Sequence, residues 1–258
     1  MASTKAEWIK FRSVRSTIMG VVVTVVLTIG LGILIDSVTR SHWNQINGIR
    51  QAIFDPTSRS LAGNFFAQFA VGVIGTLFIS SEYTSGSIRT TLTAVPNRFR
   101  LIASKLIVLM VSMFVVAEAV CFAAFLIGQR IFLGVVPTAS LTNSDVLRSV
   151  ILSGVYLMLL SVIGFALGLI LRQSAASISV FVSILLIIPL IVIFLPQSWQ
   201  NSFSKFELGT IGQSMSSPST AADTFGAWAS FLVLMIYVVV LVGVAMTLFE
   251  RRDAGSGQ

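Results

Sequence analysis

Three side chains stand out as able to do chemistry: His42, the one histidine; Cys121, the one cysteine; and Glu118, an acid inside an oily run. None has company of the kind catalysis needs. A zinc protease uses two histidines four residues apart with a glutamate between them, and a single histidine in a polar loop offers no such set. One cysteine within an apolar run makes no intrachain disulfide and no Cys-rich metal site, so a buried, inert thiol is expected. The chain has no GxSxG elbow and no paired aspartates inside its oily runs, which leaves hydrolase and intramembrane protease chemistry unsupported. It also has no GxxxxGKS/T loop, so ATP is not cradled here by a Walker A motif.

The elements that would position these residues are read from hydropathy. The 258 residues have a mean hydropathy of +0.92, with 55 % hydrophobic and 10 % charged residues. An ordinary soluble domain carries roughly 25 % charged residues. Several runs reach the ~20 apolar residues that cross a bilayer. We expect an all-α integral membrane protein, one transmembrane domain over 1–258, with spans at roughly 17–36, 62–80, 101–127, 147–171, 175–195 and 227–249. Helices are expected because they satisfy their own backbone hydrogen bonds in lipid. Lys5, Lys10, Arg12 and Arg15 precede the first run as in a signal peptide. That run, Thr17 to Ile35, is longer than a signal h-region and no small-residue cleavage site follows cleanly, so it reads as a retained span. Leu171 to Ala175 is a tight antiparallel turn. Gly72, Gly75, Gly154, Gly164 and Gly168 allow close helix packing, and Pro189 is expected to kink the fifth span.

The net charge of +7 is read as topology rather than nucleic-acid binding, because the basic residues flank the oily runs and no RNA-binding aromatic motif or zinc-finger spacing is present. With the N-terminus inside, the inner segments hold eleven of the 17 Lys and Arg residues and the outer ones six. Both termini are therefore expected in the cytoplasm. Against that frame Glu118 is the one carboxylate well inside a span. A charge at mid-membrane costs about 2.5–3.5 kcal/mol on insertion scales and marks a cavity, a pair or a pathway. The alternative is a hydrated or neutral acid in the outer third. Gln68 in the second span and Tyr156 in the fourth are further candidates for a transport path, and each could equally form a helix–helix hydrogen bond.

Two segments are amphipathic. Trp8, Phe11 and Val14 recur at i, i+3, i+6 between Lys5, Arg12 and Arg15, the pattern of an N-terminal helix lying in the lipid interface. The outer loop from Pro196 to Gly226 carries Trp199, Phe203, Phe206 and Leu208 among polar residues, and is expected to form short helices or a small re-entrant piece.

The second amphipathic stretch lies between the second and third spans: SEYTSGSIRTTLTAVPNRFRLIASK, Ser81 to Lys105. Ile88, Leu92 and Val95 share one helical face, Arg89 points elsewhere, and Pro96 ends the helix because it lacks an amide donor. Gly86 is read as permitting close backbone approach. A loop that only joins two spans needs no apolar face, whereas a surface docking on something in the cytoplasm does. Glu82, Gly86, Pro96, Arg98 and Lys105 follow E-x3-G-x9-P-x-R-x6-K, which resembles the intracellular loop of ABC-2 type transporter permeases. Ser87 stands where that family often has Thr. AEWIKFRSVRST, Ala6 to Thr17, is similar to the family's N-terminal helix, and LRQSAASISVFVSILLIIP, Leu171 to Pro189, to its inner turn and fifth span.

The resemblance covers nearly the whole chain. It implies a permease subunit of an exporter in the prokaryotic plasma (inner) membrane. Residues Glu82 to Val95 would form a coupling helix docked on a separate cytoplasmic ABC ATPase, with Arg98 and Lys105 positioning the third span. It also implies a second permease copy, identical or related, and ATP with Mg on the ATPase partner, with no cofactor bound by this chain. The alternative is a secondary transporter or channel not powered by ATP. That class usually carries several intramembrane ionisable residues. A membrane anchor or sensor subunit is a third reading, against which stands the absence of a soluble sensory domain. Nothing in the sequence names the substrate.

Overall fold

The structure is a computed structural model that describes residues 8, 15–45, 47–87, 98–219 and 224–251. These form α1 (Arg15–Ser41), α2 (Gly48–Ala52), α3 (Pro56–Ser60), α4 (Asn64–Thr84), α5 (Arg98–Phe132), α6 (Ser144–Leu171), α7 (Ser174–Ile193), α8 (Gln197–Phe203), α9 (Leu208–Ser216) and α10 (Ala227–Arg251). No strand occurs among the described residues. The six long helices α1, α4, α5, α6, α7 and α10 are long and apolar enough to cross a membrane. The fold is an all-α, multi-pass membrane bundle.

The helices outrun several boundaries drawn from hydropathy. α1 continues past residue 36 to Ser41, where Thr39 returns its hydroxyl to the Ile35 carbonyl at 2.8 Å. α4 continues past residue 80 to Thr84, and α5 spans 35 residues, about 50 Å at 1.5 Å per residue. A hydrocarbon core of about 30 Å cannot hold all of α5, so it projects beyond the lipid. Hydropathy ends a span where charge begins. A helix ends where its backbone is capped, which need not be where the apolar run stops.

α6 is the axis of the bundle. It is buried almost all round and packs against α4, α5, α7 and α10, whereas α1, α7 and α10 stay largely open to their surroundings. Lipid tails are as apolar as leucine, so burial of apolar surface does not drive helices together here; close packing and hydrogen bonds must. The α4–α6 crossing supplies both. Gly75 and Gly164 bring the two backbones into contact, the site of a Cβ on Gly75 being filled by the Ser161 carbonyl and that on Gly164 by the Gly72 carbonyl. Thr76 donates to the Gly164 carbonyl at 3.1 Å.

Between α6 and α7 only Arg172 and Gln173 intervene, and Arg172 turns the chain with φ 56°, a left-handed conformation that costs a side-chain-bearing residue energy. Its guanidinium lies 5.5 Å from the Tyr83 ring centroid, a cation–π contact that ties this turn to the end of α4. Pro189 lies inside α7, which carries on to Ile193. The loop after α7 forms the short helices expected of it, α8 and α9, and α9 buries Leu208, Ile211 and Met215 on the end of the bundle.

The expected coupling helix, with Ile88, Arg89, Leu92, Val95 and Pro96, lies outside the described residues, as do Phe11 and Val14 of the interfacial helix. Trp8 is helical and exposed.

Candidate functional site

At one end of the bundle, α4 finishes beside the start of α5 and the α6–α7 turn. Ser80 and Ser174 share a hydrogen bond of 2.8 Å there. Glu82, in the last turn of α4, accepts from Lys105 Nζ at 2.5 Å, and the two residues are 1 % and 0 % exposed. Lys105 also lies 5.8 Å from the Phe78 ring centroid. The family resemblance implies that Glu82 contacts the ATPase. Here it is instead inside the bundle, because α4 runs a turn further than expected and faces that turn inward. Two charges removed from water at this cost hold position only while both are present: removing one leaves the other buried and unmatched.

Gly86, just past the end of α4, has a conformational role of its own. Among the described residues no atom outside its own neighbours lies within 4 Å of the place its Cβ would occupy. Its φ of 69° is the reason for glycine: the chain leaves α4 through a left-handed residue, with the Gly86 amide donating to the Tyr83 carbonyl at 3.2 Å.

The opposite end holds a cavity of about 910 Å³ between the end of α1, the α2–α3 segment, the start of α4, Tyr156 of α6, and α9 with the chain after it. Its inner wall carries Asn64, Gln68 and Tyr156, all buried. Tyr156 Oη donates to Gln68 Oε1 at 2.6 Å, so two residues read separately from sequence as path candidates form one interhelical pair. The Tyr156 ring occupies the space that Gly212 of α9 leaves by having no side chain. His42, Arg50 and Arg59 are exposed at the rim. His42 caps α1 as a solvated residue, its Nδ1 sharing hydrogen bonds with Ser41 Oγ and the Val38 carbonyl.

The walls are pinned by side chains rather than by apolar packing alone. Asp55 caps α3 by accepting from the Thr57 amide at 2.9 Å, and it also accepts from Ser58 and from Ser217 of the chain after α9. Gln129 of α5 donates to Ser60 Oγ at 2.9 Å and to the Pro56 carbonyl at 3.1 Å. Arg148 of α6 holds the Pro218 carbonyl at 3.2 Å, and Ser153 holds Ser216 Oγ at 2.8 Å. Glu207, just before α9, has its carboxyl pushed above the usual range by burial, with the Thr210 hydrogen bond pulling the other way.

Glu118 does not line this cavity. Its carboxyl packs on Gly154 of α6, where a Cβ would stand 2.6 Å from the carboxyl carbon, and neither oxygen has a hydrogen-bond partner among the described residues. Another carboxylate, this one buried, lies near the end of α1. Asp36 lies within α1, is 1 % exposed, packs on Gly128 of α5, and leaves Oδ1 without a partner among the described residues. Asp36 is hard to single out in the sequence because the hydropathic run ends at that acid. Arg50 and Arg59 were legible only as charge-balance counts, since nothing in the spacing of a polar loop shows that it folds back over a cavity. Cys121 is buried and free, as its setting suggested, with Asn64 Nδ2 3.6 Å from its sulfur.

Six membrane-length helices around a buried central one, with a charged clamp at one end and a polar cavity at the other, define a multi-pass membrane protein of the all-α class. Residues 43–254 match the family described as Protein of unknown function (DUF2705), and the chain belongs to that family. No curated protein matches the chain.

Proposed function

We propose that this chain is the permease subunit of an ABC-2 type exporter, forming the substrate pathway and coupling to a separate cytoplasmic ATPase. In this reading it sits in a prokaryotic plasma membrane with both termini in the cytoplasm, beside a second permease copy. The observation that supports it best is the Glu82–Lys105 ion pair, which joins the first and last residues of the E-x3-G-x9-P-x-R-x6-K pattern. The two ends of the intervening stretch are thereby tied by a buried pair, so a push delivered between them would reach α4 and α5 together. Gly86, third of the pattern's landmarks to find a physical reason, sets the direction in which the loop leaves α4. ATP and Mg would be held by the ATPase.

Co-expression of the chain with an ATP-binding-cassette subunit from its own organism tests this. The complex is expected to purify intact and to release phosphate in a vanadate-sensitive manner. Leu92→Asp, on the apolar face expected from sequence, should weaken association at least tenfold while leaving insertion unchanged. Full association and full transport by Leu92→Asp would sink the coupling role.

A second reading, a secondary transporter or channel not powered by ATP, draws on Asp36 and Glu118 together. Two carboxylates within spans, each with an oxygen that has no partner among the described residues, are more than an ATP-driven permease requires. Uptake or efflux in proteoliposomes driven by an ion gradient, with no ATPase present, would favour it.

A further inference from the structure

The charges that line the cavity are unequally spent. Among the described lining residues the one carboxylate, Asp55, is engaged by three donors of its own chain: the Thr57 amide, Ser58 and Ser217. The two guanidiniums are not. Arg59 uses only Nε, on Thr39 Oγ1 at 2.9 Å, and acts on Asp36 by charge without a salt bridge. Arg50 makes no hydrogen bond or ion pair among the described residues. Deeper in, Gln68 spends one end of its carboxamide on Tyr156, and whichever way that amide is set its other polar atom has no partner among the described residues.

A cavity whose described acid already accepts from its own chain, and which keeps two planar forks of N–H donors, is complementary to an anion. Guanidinium forks match oxyanions bidentately, and two forks offer more donors than one carboxylate accepts. The space of about 910 Å³ is at the upper end of ligand-sized pockets, far more than a bare ion fills. We propose that this cavity binds a phosphate-type oxyanion, held by Arg50 and Arg59 at the rim, with Gln68 on the inner wall bonding the polar remainder of the molecule that carries it. The proposal rests on the permease reading only in treating that molecule as cargo.

The test uses the full chain in phosphatidylcholine nanodiscs, titrated with dihexanoyl-phosphatidylglycerol, dihexanoyl-phosphatidylcholine and inorganic phosphate. Saturable binding of the phosphatidylglycerol is expected, at least tenfold tighter than the phosphatidylcholine. The double variant Arg50→Gln/Arg59→Gln should weaken it at least tenfold, and Gln68→Leu several-fold. The double variant Arg50→Lys/Arg59→Lys keeps charge but not the forks and should fall between, with thermal unfolding of every variant checked against the parent. Inorganic phosphate binding as tightly, with the same arginine dependence, would support the site and assign it to free phosphate rather than a headgroup. No saturable binding of either anionic probe, or parental affinity in the folded Arg→Gln double variant, overturns the proposal. Loss of ATPase association with binding intact would instead remove the permease reading and leave the site standing.

Discussion

The two ends of this bundle handle charge in opposite ways. At the α4–α5 end, Glu82 and Lys105 are buried and matched to one another. At the cavity end, Arg50 and Arg59 are exposed with most of their donors unused, while the neighbouring Asp55 is fully engaged. Burial makes the first pair a positioning device, since either charge alone would be intolerable there. Exposure makes the second set cheap to keep unpaired, because water pays the solvation until something else binds. The difference separates residues that hold helices from residues that are free to recognise.

Breaking the matched end should have the largest effect. Lys105→Ala is expected to destabilise the bundle by about 3–5 kcal/mol, the loss typical of a buried pair deprived of one partner. Replacing both, as Glu82→Leu with Lys105→Met, should recover most of that loss. Unfolding midpoints in mixed detergent micelles would check it, and equal losses in the single and double variants would show that the pair is not the clamp. Tyr156→Phe should cost less, about 1 kcal/mol, because the Gln68 amide it abandons lines a cavity rather than sealed core. The same unfolding assay reads it. Smallest of all, Arg50→Gln should shift stability by no more than about 0.5 kcal/mol, as for a surface position without partners. A loss for Arg50→Gln comparable to that of Lys105→Ala would erase the contrast and make Arg50 structural.

The sequence by itself determined the number and rough limits of the membrane helices, since length and hydropathy alone decide whether a segment can cross lipid. It also marked Glu82 and Lys105 as two of five positions in a family-like pattern, and Gln68, Tyr156 and Glu118 as polar residues in oily surroundings. Only the tertiary structure decided which of these meet. Glu82 finds Lys105 23 residues away, and Gln68 finds Tyr156 at a separation of 88, while Glu118 finds Gly154. It alone decided, too, that α6 is central and α10 peripheral, although both are oily all round. In a soluble helix, water sorts the inner face from the outer and writes the sorting into the sequence as an amphipathic stripe. In lipid the outside is as apolar as the inside, so the stripe is absent, and packing order is set by where backbones can touch, at Gly75 and Gly164.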